Sequence, residues 1–169
     1  MKNLNFLFLF LIFSCAGSPD LNSTKIGFEN DGENTYDITA GEAASTAVIS
    51  SFINAVNQRD METVRNLQFE DIVIYGTQEN IEGVDQYMKV FDDFLKTYPD
   101  ANWKIKWTMS SNVIKDDVAE NWVTTNLLLT FGEAEVNEVV DANIVDGKIK
   151  TIYLYTCLLY TSPSPRDRG

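Results

Sequence analysis

Apolar residues recur along this chain with two periods. Between Ala40 and Asn57, residues Ile49, Phe52, Ile53 and Val56 fall three and four apart, flanked by Val48 and Ala55. That spacing predicts a helix with one buried stripe. Thr39-Ala40-Gly41-Glu42 has the form of a capping box, with Thr39 as N-cap and Glu42 reaching back. Asn57-Gln58-Arg59-Asp60 breaks the pattern, and Asp60 can cap a shorter second helix carrying Met61, Val64 and Leu67 on one side. Phe69 to Gly76 reads as a strand ending at glycine, followed by a polar loop from Thr77 to Glu82. A third helix is predicted from Gly83 to Tyr98, where Pro99 stops it. Its stripe of Val84, Met88, Phe91 and Leu95 is widened by Tyr87, Val90, Phe94 and Tyr98, so much of its girth should be covered.

From Ala101 the period changes to two. In Trp103-Lys104-Ile105-Lys106-Trp107 apolar and charged residues alternate strictly, which sets one face against a core and the other toward water. Lys115-Asp116-Asp117 turns the chain, Val118 to Phe131 returns, and Gly132-Glu133-Ala134 turns it again. Glu135 to Val145 and Lys148 to Tyr155 form a last hairpin about Asp146-Gly147, a pair that favours the turn whose twist suits two antiparallel strands. No internal repeat and no second domain is visible. Residues 39–156 therefore read as one α+β domain, long enough to bury a substantial core.

The two ends are different in kind. Lys2 followed by the apolar run Leu4 to Phe13 reads as a signal peptide over residues 1–14. Ile12-Phe13-Ser14-Cys15 resembles a bacterial lipobox, which implies an acylated Cys15 as mature N-terminus and a lipid-anchored place in the bacterial cell envelope, on its periplasmic or outer-membrane face. Residues 15–38 are polar and read as a flexible tether. The run Cys157 to Asp167 is what an in-frame translation of a transposase mosaic-end sequencing adaptor yields. Residues 157–169 are accordingly set aside from fold reasoning, and no Cys15–Cys157 disulfide is expected.

Charge narrows the function classes. The chain has 13 basic against 25 acidic residues, a net charge of −12, which argues against nucleic acid as a partner. It has no histidine, so the commonest general base and metal ligand is missing. Asp92-Asp93 and Asp116-Asp117 are adjacent pairs whose side chains diverge, whereas calcium needs several convergent oxygens. No metal site and no cofactor is expected.

The order helix, helix, strand, long helix, four strands, together with Asn57-Gln58-Arg59-Asp60, Phe69 to Gly76, Ile81 to Val84, Tyr98-Pro99-Asp100 and Val145 to Ile149, is similar to the nuclear transport factor 2-like superfamily, and within it to the SnoaL-like group. The resemblance covers Ala40 to Tyr155. It implies a cone-like α+β barrel, with three N-terminal helices packed in a curved antiparallel sheet and a pocket at the mouth. The superfamily holds isomerases, cyclases, dehydratases and epoxide hydrolases beside non-enzymatic binding and oligomerisation domains, so fold does not give function.

The resemblance can be taken position by position. Its isomerases use a tyrosine and a protonated aspartate as oxyanion hole and an aspartate base. The tyrosine's position is here Phe52, the base's position lies near Gly76 beside Tyr75, and Asp141 has the spacing of the oxyanion aspartate. Epoxide-hydrolase-like members bridge two aspartates with an inward arginine, but Arg59 and Arg65 lie in the helix–turn region. No catalytic set is complete. Asp141, assisted by Tyr75, is the best catalytic candidate. By the period-two rule it shares a face with Val139 and Asn143, and that face either lines the cone or meets water. The expected pocket comprises Phe52, Tyr75, Phe91, Trp122, Asn126, Asp141, Asn143 and Tyr153, with the aromatic members doubling as ordinary core. The resulting reading is a membrane-tethered domain that binds a small apolar or amphipathic ligand, or self-associates as a homodimer through its sheet; a further alternative is an envelope assembly module paired through the exposed sheet face where Lys104, Lys106 and Thr108 lie. The alternative is a cyclase, dehydratase or isomerase using Asp141 as acid.

Overall fold

The computed structural model describes residues 24–77 and 79–157. The expected signal peptide, Cys15 and the tail beyond Cys157 lie outside them. Element order is β1 (Lys25–Asn30), β2 (Thr35–Ala40), α1 (Ala43–Gln58), α2 (Met61–Asn66), β3 (Gln68–Tyr75), β4 (Asn80–Glu82), α3 (Val84–Thr97), β5 (Asn102–Lys115), β6 (Val118–Phe131), β7 (Ala134–Val145) and β8 (Lys148–Cys157). The strands form one sheet in the order β1-β2-β5-β6-β7-β8-β3-β4, and the helices share its core.

The α+β class and the three helices are as the sequence implies, but the arrangement differs in three ways. The helices are not all N-terminal: a β-hairpin precedes α1, and β3 and β4 separate α2 from α3. The sheet is mixed, because β3 runs parallel to β8. It is also open. Barrel closure would need β1 to pair with β4, and among the described residues these two strands stand unpaired with each other at opposite ends of the sheet.

The first hairpin also replaces part of the expected tether. Asp31 Oδ1 accepts from the backbone N–H groups of Glu33 and Asn34, closing a polar turn, and β2 pairs with β5 from Asp37 to Ala40. That pairing displaces the expected cap. Thr39 is a buried strand residue, and the Gly41 N–H donates to the Ser110 carbonyl at 2.9 Å. A side chain at Gly41 would lie 2.1 Å from Ser110 Oγ, so glycine is what allows this approach. The helix therefore starts after Glu42, which makes no side-chain capping bond.

Elsewhere local signals act as read. Asp60 caps α2 through the Thr63 N–H. Asp146 and Gly147 both take positive φ, 49° and 71°, as their two-residue hairpin turn requires. The polar segment after Gly76 contributes the short β4 as well as loop. Along α3, Val84 and Leu95 are buried and Tyr87, Met88, Phe91 and Phe94 pack on the core, while Val90 and Tyr98 stay exposed.

One motif ties helix to sheet. Asn57 Nδ2 donates to the Trp103 carbonyl at 2.7 Å, and the Trp103 N–H donates to Asn57 Oδ1 at 2.9 Å. The amide of α1 thus stands in for a neighbouring strand along β5. Arg59, at φ 61°, donates to the carbonyls of Val56, Pro99 and Ala101 and closes the same corner. Replacing Asn57 with alanine strands two backbone groups of a buried residue, which costs about 2 kcal/mol. Urea unfolding of Asn57→Ala should show that loss at unchanged slope; a loss below about 0.5 kcal/mol would contradict the role given to the clamp.

Candidate functional site

Between α1, α3 and the helix-covered face of the sheet the core leaves a cavity of about 280 Å³. Helix α1 contributes Ile49, Phe52, Ile53 and Val56, which its 3.6-residue period sets on one stripe. Helix α3 contributes Tyr87, Val90, Phe91 and Phe94. The sheet contributes residues such as Trp103, Leu127, Val140 and Ile152, each pointing inward by strand alternation.

Aromatic rings run along one side of this space. The ring centroids of Tyr87 and Phe91 are 5.4 Å apart and stacked, and those of Phe91 and Trp103 lie 5.7 Å apart. Phe94 reaches Trp103 at 5.8 Å, and Phe52 reaches Tyr87 at 6.5 Å.

Among these apolar walls one side chain carries a carboxyl group. Glu138 lies on β7 opposite Leu127 of β6 and Thr156 of β8. Its Oε2 accepts from Trp103 Nε1 at 3.1 Å. Burial raises the Glu138 pKa above the ordinary carboxylate range, and the Trp103 N–H acts in the opposite direction without cancelling it. The Tyr87 hydroxyl is held well above the usual phenol range, chiefly by burial and in addition by the Glu138 charge. Tyr87 keeps some accessible area and packs partly on the core, between Phe52 and Phe91. The pair supplies one carboxyl able to give or take a proton and one neutral phenol. Among the described residues no group of three or more cysteine or acidic side chains is placed to hold a metal ion.

Of the pocket residues read from sequence, Phe52 and Phe91 line the cavity. The other six, Tyr75, Trp122, Asn126, Asp141, Asn143 and Tyr153, do not; they lie on the opposite face of the sheet. Tyr75 and Tyr153 stack at 4.6 Å, and Trp122 stands 6.0 Å from Tyr153. Asp141 accepts from Thr124 Oγ1, and Asn143 Nδ2 donates to the Asn121 carbonyl. Asn126 Nδ2 donates to the Glu138 backbone carbonyl at 3.2 Å.

The reason is alternation. Val136, Glu138, Val140, Ala142 and Ile144 share one face of β7, and Val136, Ala142 and Ile144 are buried, so Asp141 must point away. That apolar majority is visible in the sequence. Spacing from the hairpin glycine selected the wrong face. Thr108 is corrected similarly: the register shift between Ile105 and Trp107 turns it inward to Thr125, away from the exposed Lys104 and Lys106. Trp107, Met109, Tyr75, Tyr153 and Tyr155 are instead among the exposed apolar residues of the outer face.

The profile of the SnoaL-like domain matches residues 49–152, well over half the chain. The protein belongs to the SnoaL-like domain family. A comparison with curated protein sequences gives no match. Among solved structures, the SnoaL-like domain superposes on a Kribbella flavida protein provisionally assigned as a ketosteroid isomerase. The TM-score is 0.59 at 20% identity, over 76% of this chain and 88% of that one. AclR from Streptomyces galilaeus, provisionally assigned as a hydroxylase, matches with TM-score 0.57 and 18% identity over 70% and 82%. A nuclear transport factor 2-like protein of unknown function from Cytophaga hutchinsonii matches with TM-score 0.54 and 12% identity over 69% and 93%. At these identities the structures share the fold alone.

In this SnoaL-like domain the raised Glu138 pKa fixes the sign of a pH effect. The folded state holds that proton more tightly than the unfolded chain, so Glu138 stabilises the fold fully below its ordinary value of about 4.5. That contribution is lost as pH rises through the raised folded value. In urea melts, the stability of the wild type relative to Glu138→Gln should fall across that window. A difference that is flat or rises with pH would contradict the burial of this carboxyl.

Proposed function

We propose that the domain binds a small apolar or amphipathic molecule inside its cone and carries no complete catalytic set. The observation that supports this reading most is the cavity itself: apolar and aromatic walls with one carboxyl at one point. A cyclase, dehydratase or isomerase would take its acid from Glu138, since Asp141 is bonded to Thr124 on the far face. It would also need a proton acceptor apart from that acid. Near the isomerase base position the lining is Gly76, with Ile81 and Ile74 beside it. We further propose that acylated Cys15 holds the domain at a membrane surface of the bacterial cell envelope, with residues between it and β1 as the tether. The net charge of −12 supports a partner other than nucleic acid.

Titration with phenethyl alcohol, followed in proton–nitrogen correlation spectra, tests the binding reading. Shifts should centre on Phe52, Phe91, Leu127 and Val140 and saturate. Absence of shifts there, with concentration-dependent changes at Trp107, Met109 and Tyr153 instead, would replace it with self-association through the outer sheet face.

A further inference from the structure

The cone holds an acid without a counter-charge. Among the described residues no lysine or arginine lines the cavity, and Glu138 receives one side-chain hydrogen bond, from Trp103 on β5. Helix α3 faces it with Tyr87, a neutral phenol, and β6 opposes it with Leu127. A carboxylate can accept several hydrogen bonds, so most of its capacity is unused. Leaving a carboxylate in apolar surroundings is costly unless a cation or further donors meet it.

The rings beside it form the other half of the arrangement. Phe52, Tyr87, Phe91, Phe94 and Trp103 make a continuous series with neighbouring centroids 5.4 to 6.5 Å apart. Aromatic faces attract organic cations within about 6 Å of the ring centre, most strongly when water is excluded. A row of rings along one wall together with one carboxylate provides the two attractions that a hydrophobic ammonium uses.

We infer that the cavity takes a small hydrophobic amine, whose ammonium group is held by the Glu138 carboxylate and the adjacent row of rings while its apolar body fills the remaining space. This rests on the proposed binding function and assigns the chemical class of its ligand. Burial without a counter-charge raises the Glu138 pKa; an ammonium alongside would bring it down. The acidity of the whole chain attracts cations toward the site. A neutral carbonyl ligand would instead need Glu138 protonated as a donor, and an anion would meet its repulsion. The three classes therefore differ in both affinity and pH dependence.

Phenethylamine, phenethyl alcohol and phenylacetate have nearly the same shape and differ in charge. Calorimetric titration of the full chain at neutral pH should show the amine binding at least about tenfold more tightly than the alcohol, and phenylacetate not at all. Glu138→Gln should erase the gap between amine and alcohol, and Phe91→Leu should narrow it. Amine affinity should rise as pH rises through the Glu138 titration. Equal affinities, a gap that survives Glu138→Gln, or amine binding that weakens with rising pH would overturn the assignment while alcohol binding leaves the cone a binding site. Failure of both amine and alcohol to bind would overturn the binding function as well.

Discussion

Two hydrogen bonds between Asn57 and the backbone of Trp103 fix the relation of helix to sheet on which the site depends. A helix has no free edge with which to join a sheet. Here one amide near the end of α1 offers a donor and an acceptor at strand spacing, and β5 accepts it as it would a neighbour. Arg59 then fills the corner by satisfying three carbonyls from Val56, Pro99 and Ala101. The result is a Trp103 whose backbone is held from one side and whose indole faces the cavity.

The properties of the cavity descend from that placement. Trp103 offers its N–H to Glu138 and its ring to Phe91 and Phe94. The hydrogen bond favours the charged carboxylate and burial disfavours it; burial is the larger effect. A packed aliphatic side chain at this position would spare the domain that desolvation. Stability alone therefore does not account for a glutamate at this position. Tyr87 supports the same view, because its hydroxyl is too weakly acidic to compete for the negative charge.

Much of the fold was legible because its signals are local. The stripe of α1, the Asp60 cap and the Asp146-Gly147 turn each depend on residues a few positions apart, and each formed as read. What was not legible depends on distant partners. Ile26, Phe28, Tyr36 and Ile38 alternate through a polar segment, but they become strand only because β5 offers an edge to Asp37–Ala40. The parallel pairing of β3 with β8 joins strands separated in sequence by β4, α3 and β5 to β7, which no strand pattern encodes. In the site, counting back from the hairpin glycine selected Asp141. Comparing the two faces of β7 would have selected Glu138, the lone polar residue among Val136, Val140, Ala142 and Ile144. Phe52 and Phe91 were found because helical period reports facing directly.

The central claim is that the hollow of this domain contains one half-buried carboxyl, seated by the Trp103 indole. Following the Glu138 side-chain carboxyl carbon by nuclear magnetic resonance as pH is varied tests this most directly. The account predicts a midpoint clearly above the ordinary glutamate value of about 4.5, with the Trp103 indole N–H signal moving at the same midpoint. An ordinary midpoint, or an indole signal that does not respond, would contradict it.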